Sequence, residues 1–347
     1  MDLASILGTE FPLIQAPMAG VQDCTLAIAV SAAGALGSLP AATLAPQALR
    51  RELALLRAQT QRPFNVNFFC HAPARENRPR ETLWEQLLAP YFAEFGLQPA
   101  APAAPARLPF DEAAAQVLAE FDPAVVSFHF GLPAAPLVQQ VRSRGARILS
   151  SATTVEEARW LEARGVDAII AQGSEAGGHR GMFLTDDLGS QLATAALVPR
   201  IARVVRVPVI ASGGIADAAG VAAAMRLGAA GVQVGSAYLL CPEATTSAVH
   251  RSALQSAAGA TTALTNLFTG RPARGIVNRL MRELGPMNSA VPDFPLAANT
   301  LAPLRAHAER LGSGDFSPLW AGENTPLCRA RPAAQVTREL LRAFADT

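Results

Sequence analysis

Short, continuously apolar runs alternate with longer amphipathic stretches through the first 240 residues of the chain. The runs at 12–18, 35–39, 64–69, 125–130, 147–151, 168–171, 207–211 and 231–234 predict eight strands. Within most of them apolar residues follow one another instead of alternating with polar ones, as in parallel strands covered by helices. Between them, residues 26–33, 46–59, 136–144, 155–164, 191–204 and 218–227 predict helices. Several of these close on a glycine (Gly34, Gly145, Gly165, Gly228), where a left-handed C-terminal cap costs little. Eight strands separated by helices predict an α/β fold of the TIM (β/α)8 barrel type, with a doubly wound open sheet as the competing arrangement. No Gly-x-Gly-x-x-Gly follows the first strand, which counts against a dinucleotide-binding half.

Two regions break the rhythm. Residues 74–122 are too long for one crossover and hold a helical pattern near 81–95 and a Pro/Ala-rich piece at 98–109. From 241 to about 310 the chain reads as helical at first and then loop-like through 285–299, which predicts a smaller helical and loop capping region over the barrel mouth. Residues 333–345 read as a closing amphipathic helix. The expected division is a barrel over 1–240 with 74–122 inserted, a cap over 241–310, and a C-terminal segment, 311–347, returning to the barrel.

Composition narrows the class. The chain has 347 residues, half of them apolar, enough for a sizeable core. A net charge of +1 without a long basic run argues against nucleic acid as a partner. No apolar stretch is long enough to span a bilayer, and the N-terminus lacks the pattern of a signal peptide. Cys24, Cys70, Cys241 and Cys328 are far apart and form no metal spacing, which predicts a reduced, cytoplasmic protein without a metal. All 29 basic residues are arginine, so no lysine is present to form a Schiff base or act as a base.

In a barrel of this type ligands gather at the C-terminal ends of the strands. The first strand ends in Ala16-Pro17-Met18, the third carries Asn65 and Asn67, and the fourth carries His129. The sixth runs into Gln172-Gly173-Ser174-Glu175-Ala176-Gly177-Gly178-His179-Arg180-Gly181, a glycine-rich loop suited to close approach of a ligand. The last two end in Ser212-Gly213-Gly214 and Gln233-Val234-Gly235-Ser236, about 22 residues apart, or one βα unit. Such paired glycine turns beside a helix N-terminus make a phosphate site. One phosphate with the amides of Asn67, Gln172 and Gln233 suits FMN, and a sugar phosphate is the competing ligand. His179 is the candidate for proton transfer, against a plain surface-loop histidine. His129 is the second candidate, against a hydrogen-bonded core histidine. Glu175 reads as orienting a neighbour or capping a helix, and Arg180 as neutralising an anionic substrate or facing solvent. His71, His250 and His307 read as structural or exposed.

These residues bring a family into view. The chain resembles the nitronate monooxygenase (2-nitropropane dioxygenase) family from Pro12-Leu13-Ile14-Gln15-Ala16-Pro17-Met18 through the Gln172–Gly181 loop and Thr269-Gly270-Arg271-Pro272-Ala273-Arg274-Gly275 to Gly314-Asp315-Phe316-Ser317-Pro318-Leu319-Trp320. The resemblance implies a flavoprotein with non-covalent FMN held at Asn67, Gln172, Gly177, Gly214 and Gln233–Ser236. Ala16, Pro17, Met18, Gly178, Ser212 and Gly213 complete the expected flavin site. The resemblance makes His179 the base towards neutral nitroalkanes and His129 a residue facing the substrate. It implies oxidation of alkyl nitronates by O2 to a carbonyl compound and nitrite through a flavin semiquinone, in an enzyme open to homodimerisation. The chain departs from the family where two tyrosines and a lysine are expected: Phe294, Ala298 and Ala302 stand there. That change leaves the flavin positions untouched and bears on which nitronate is taken, propionate-3-nitronate included. The competing functions are an FMN-dependent NAD(P)H:quinone or enoyl-type reductase and a barrel that only binds a phosphate ligand.

Overall fold

The computed structural model describes residues 2–75, 77–98 and 108–345. Most of the Pro/Ala-rich piece at 98–109 therefore lies outside the described residues. In chain order the strands are β1 (Leu13–Gln15), β2 (Gly37–Pro40), β3 (Phe64–Phe69), β4 (Val125–His129), β5 (Arg147–Ala152), β6 (Ala168–Gln172), β7 (Gly178–His179), β8 (Val209–Ser212), β9 (Gly231–Val234), β10 (Thr262–Thr265) and β11 (Ala273–Ile276). All but β7, β10 and β11 form one parallel sheet in the order β1-β9-β8-β6-β5-β4-β3-β2. A parallel bridge between Ile14 and Leu36 joins its two ends. The result is the expected TIM barrel. Its register aligns polar strand ends: Gln172 pairs with Ser212 and Ser212 with Gln233, so the ends of β6, β8 and β9 stand at one height.

The helices up to β9 are α1 (Leu3–Leu7), α2 (Cys24–Ala32), α3 (Pro46–Gln59), α4 (Arg78–Glu94), α5 (Glu112–Leu118), α6 (Ala135–Ser143), α7 (Val155–Glu162), α8 (Thr194–Ala202) and α9 (Ala218–Arg226), with α4 and α5 in the inserted segment and α5 packed on the barrel. Their starts are set locally. Asp23 caps α2 on the Thr25 N–H at 2.8 Å, and Asp217 caps α9 on the Gly220 N–H at 2.8 Å. The helix layer packs Leu26, Val30 and Leu53 against outward residues such as Val66, Phe128 and Val232, all fully buried. Inside the barrel, Ile14, Leu36, Val125, Leu149 and Ile210 meet Leu3 and Leu7 of α1, a short helix that the apolar pattern does not single out.

A second core lies beside the barrel. It is built from α4, the turn after β10 with Leu267 and Phe268, α11 (Arg279–Leu284) and α12 (Ala297–Arg310), while Leu254 of α10 (Ala248–Gln255) and Ile276 of β11 join a separate apolar cluster. Trp84, Leu88 and Phe92 of α4 pack with Leu280, Leu301, Leu304 and Phe316. The inserted helix at the 74–122 break thus shares its core with a segment about two hundred residues later. Two expectations need correction. The loop-like reading through 285–299 ends early, because α12 begins at Ala297. The β10–β11 hairpin has no counterpart among the expected elements, since its strands carry Thr262, Thr265 and Arg274 in place of a continuous apolar run. α13 (Ala333–Leu341) lays Val336, Leu340 and Leu341 on the barrel core.

Candidate active site

A cleft opens at the C-terminal ends of the barrel strands. Ala16, Pro17 and Met18 after β1, Asn67 and Phe69 of β3, His129 of β4, Ser151 of β5 and Gln172 of β6 line one side. Ser212, Gly213 and Gly214 after β8, and Gln233, Gly235 and Ser236 at β9, line the other. Gly177, Gly178 and His179 close it, with Trp320 and Asn324 from the C-terminal segment. Of the expected flavin and catalytic residues, Val234 does not line the cleft. Its side chain is buried in the core, and its carbonyl accepts from the Ala16 N–H at 2.8 Å.

The glycine loop after β6 is held at several points. Gln172 donates from Nε2 to the His179 carbonyl at 2.9 Å and accepts from the Gly181 N–H at 2.8 Å. Its amide therefore braces the loop. Gly178 takes the left-handed φ of +72° that lets the chain turn into β7, and nothing lies within 4 Å of where a Cβ would stand. β7 pairs antiparallel with β11, His179 opposite Ala273 and Gly178 opposite Arg274. The histidine expected in a free loop is instead on a two-residue strand. Its partner is more than ninety residues away, a contact no local pattern reveals.

His179 faces the cleft, with Nε2 at 3.0 Å from the buried Thr269 hydroxyl. A hydroxyl donates or accepts, so this contact serves both protonation states of the ring. The rings of Phe294, Trp320, Phe69 and Phe130 stand 5.3, 5.5, 6.0 and 6.1 Å from the imidazole. His129 lies beneath the loop: a Cβ on Gly181 would come within 2.8 Å of its Cε1. Its Nε2 is 3.1 Å from the His179 carbonyl and its Nδ1 3.0 Å from the Ser151 hydroxyl. A carbonyl only accepts, so Nε2 carries the proton and Nδ1 accepts from Ser151, a tautomer assigned from the bonding pattern. Both nitrogens are thus engaged inside the protein.

Burial pushes the His129 imidazole down to about 4, with Arg271 and Arg180 adding to the effect and the His179 carbonyl opposing it. Burial does the same to His250, also to about 4, with the Trp320 main chain opposing the effect. Both rings stay neutral in the fold down to that value, whereas in the unfolded chain they take a proton near the ordinary 6.5. Between these values the unfolded state binds more protons, so stability falls as pH drops from about 6.5 towards 4 and is untouched by these groups above that window. Each ring contributes a slope of up to about 1.4 kcal/mol per pH unit. A His250→Leu variant is expected to show a shallower fall of Tm between pH 7 and 4.5 than the parent. Parallel curves would remove His250 from the account.

Glu175 accepts from the Thr194 N–H at 2.9 Å and from its hydroxyl at 2.9 Å, so it caps α8. Arg180 does neither of the things expected of it. It is fully buried, absent from the cleft wall, and donates to the carbonyls of Gly173 at 2.6 Å and Gln172 at 2.8 Å and to Gln191 Oε1 at 2.9 Å. Its burial is not legible in the sequence, because its partners are backbone oxygens and an amide. Sequence reasoning also misses Phe69, Phe130, Ser151, Thr269 and Trp320 as site residues; only Thr269 and Trp320 lie in motifs that carry the family resemblance. The four thiols are free, and burial raises each, Cys24, Cys241 and Cys328 to about 12.

The sequence model of the family described as nitronate monooxygenase matches residues 2–343. A nitronate monooxygenase of Pseudomonas aeruginosa is 43% identical over 339 residues, 97% of each chain. One of Paraburkholderia phytofirmans is 42% identical over 344 residues, 98% of this chain and 94% of that one. Among solved structures, a nitroalkane oxidase from Streptomyces ansochromogenes superposes with a TM-score of 0.90 at 36% identity, covering 99% of this chain and 98% of the other. With a barrel whose strand ends converge on His179 and with relatives of this closeness along the whole length, the chain belongs to the nitronate monooxygenase family and is an enzyme of that type.

Proposed function

We propose that the enzyme holds FMN in this cleft and oxidises alkyl nitronates with O2 to a carbonyl compound and nitrite, accepting neutral nitroalkanes through His179. The observation that carries the cofactor is Gln233 Oε1. It is a buried acceptor without a hydrogen-bond partner, and among the described residues it is the one such atom on a residue that lines the cleft. Leaving it unmet costs about 1–3 kcal/mol, and the imide N–H of a flavin ring is a donor of the right kind. At the same end, the turns at Gly213–Gly214 and Gly235–Ser236, with the N-terminus of α9 nearby, suit the phosphate. Asn67 and the backbone of Gly177 and Gly178 flank the space between. A cleft that runs from these turns to His179 suits a ring system with a phosphate tail better than a sugar phosphate.

When bound, FMN supplies the electron transfer between nitronate and O2. The chain's own residues do the rest. A nitronate arrives already deprotonated and needs placement. A neutral nitroalkane must lose its α-proton, which an imidazole nitrogen of His179 takes while Thr269 steadies the ring. We assign His129 a positioning part in place of the substrate contact implied by the resemblance. It is held neutral by burial and donates to the His179 carbonyl, fixing the main chain that carries the base. Phe69 and Trp320 exclude water from the same space. In this reading the second core, α4 included, is the cap that covers the His179 end.

The experiment is direct. Purified protein loaded with FMN and given propyl-2-nitronate under air is expected to consume O2 and release nitrite. FMN bound with no nitrite formed would refute the reading, and rapid anaerobic bleaching by NADH in its place would favour a reductase.

A further inference from the structure

Resting on the reading of this cleft as a nitronate site, we propose that it selects nitronates with uncharged, apolar chains and rejects those that carry a carboxylate. The rings around the base are mostly apolar: Phe69 and Trp320 line the cleft, and Phe130 and Phe294 pack with them, with the buried His71 ring edge-on to Phe294 at 4.8 Å and outside the cleft lining. Phe69, Phe130 and Phe294 are buried and pack on one another, with centroid separations of 4.9, 5.8 and 6.3 Å. Together with Trp320 they surround the His179 ring.

A second anion would need a cation, and this chain has no lysine. Among the described residues no arginine lines the cleft. The three arginines nearest the catalytic loop are already committed. Arg180 is fully buried and its guanidinium is spent on two carbonyls and Gln191. Arg271 lies 4.1 Å from the centroid of Phe130 and donates to the Met182 carbonyl. Arg274 is 9% exposed, donates to the Ser174 carbonyl at 2.8 Å and pairs with Glu323 at 3.1 Å. A nitronate brings a single charge, which His179 and the amides of the cleft can meet. A carboxylate on its far end would be desolvated without a counter-ion.

The test uses the FMN-loaded enzyme and two nitronates of matched shape, those of 1-nitro-3-methylbutane and of 3-nitropropanoate, whose ends differ in charge and little in size. The expected kcat/KM for oxygen consumption favours the uncharged nitronate by about a hundredfold or more. A Phe294→Arg variant is expected to narrow that ratio at least about tenfold by placing a cation in the wall. If that variant fails to fold, the ratio of the parent enzyme decides alone. Equal turnover, or preference for the carboxylate, overturns the selectivity while leaving nitronate oxidation standing. Failure to oxidise either nitronate with FMN bound overturns the functional reading, and the selectivity with it.

Discussion

Replacing His179 with asparagine is expected to lower kcat/KM for a neutral nitroalkane by about a thousandfold and for its nitronate by less than about tenfold. The two substrates differ by one proton on carbon. Only the neutral form needs a base, and His179 is the titratable group of the β7 loop whose ring faces the cleft. Asparagine keeps polarity and approximate size but takes no proton at neutral pH, so the contrast isolates the proton. Thr269 sharpens the test. Its hydroxyl is 3.0 Å from His179 Nε2 and is buried, so Thr269→Val should cost about tenfold on the neutral substrate and little on the nitronate, with Thr269→Ser restoring the rate. Oxygen uptake across a range of pH measures both. Equal losses on the two substrates would make His179 a positioning residue and leave the base elsewhere.

The second large effect belongs to a residue that touches no ligand. An Arg180→Met variant is expected to lose about 3–5 kcal/mol of stability, read as a Tm lower by about 4–7 °C. Methionine fills much of the volume but leaves the carbonyls of Gln172 and Gly173 and the Gln191 amide oxygen without their donors in a dry interior. Arg180→Lys should recover little, because one ammonium cannot reproduce a planar fork that reaches three acceptors at once. Burial lowers the guanidinium to about 10, with Arg274 adding to the effect and Glu157 and Glu175 opposing it, so it remains charged at neutral pH. A Tm within about 2 °C of the parent would show that the loop is held by its strand pairing alone.

The barrel is legible in the sequence because its physics is local. Parallel strands such as β6 are buried on both faces and so read as unbroken apolar runs, against which Gln172 at the end of β6 and Asn65 and Asn67 inside β3 stand out. The glycine loop is legible for the same reason, as a polar, glycine-rich break after an apolar run, although the pairing of Gly178 and His179 with β11 is not. What stays hidden depends on distant partners. Nothing around Arg180 announces that backbone oxygens will accept its hydrogen bonds in the interior. Nothing near Thr269 announces that its hydroxyl will meet a histidine ninety residues earlier. The β10–β11 hairpin escapes because four-residue strands reading Thr-Ala-Leu-Thr and Ala-Arg-Gly-Ile show neither a continuous apolar run nor a two-residue period. Phe130 looks like ordinary core until the fold brings Phe69 and Phe294 to it.

The pairing of β7 with β11 has a consequence for anyone rebuilding this enzyme. His179 is stitched to Ala273 and Gly178 to Arg274, with the Arg180 N–H on the Pro272 carbonyl at 2.8 Å. The β10–β11 hairpin and His179 are therefore one piece of cloth. A chimaera that grafts another family member's hairpin onto this barrel also replaces the seam that sets His179. The graft must carry residues 172–181 together with 262–276, or the new enzyme will inherit a pocket without a register.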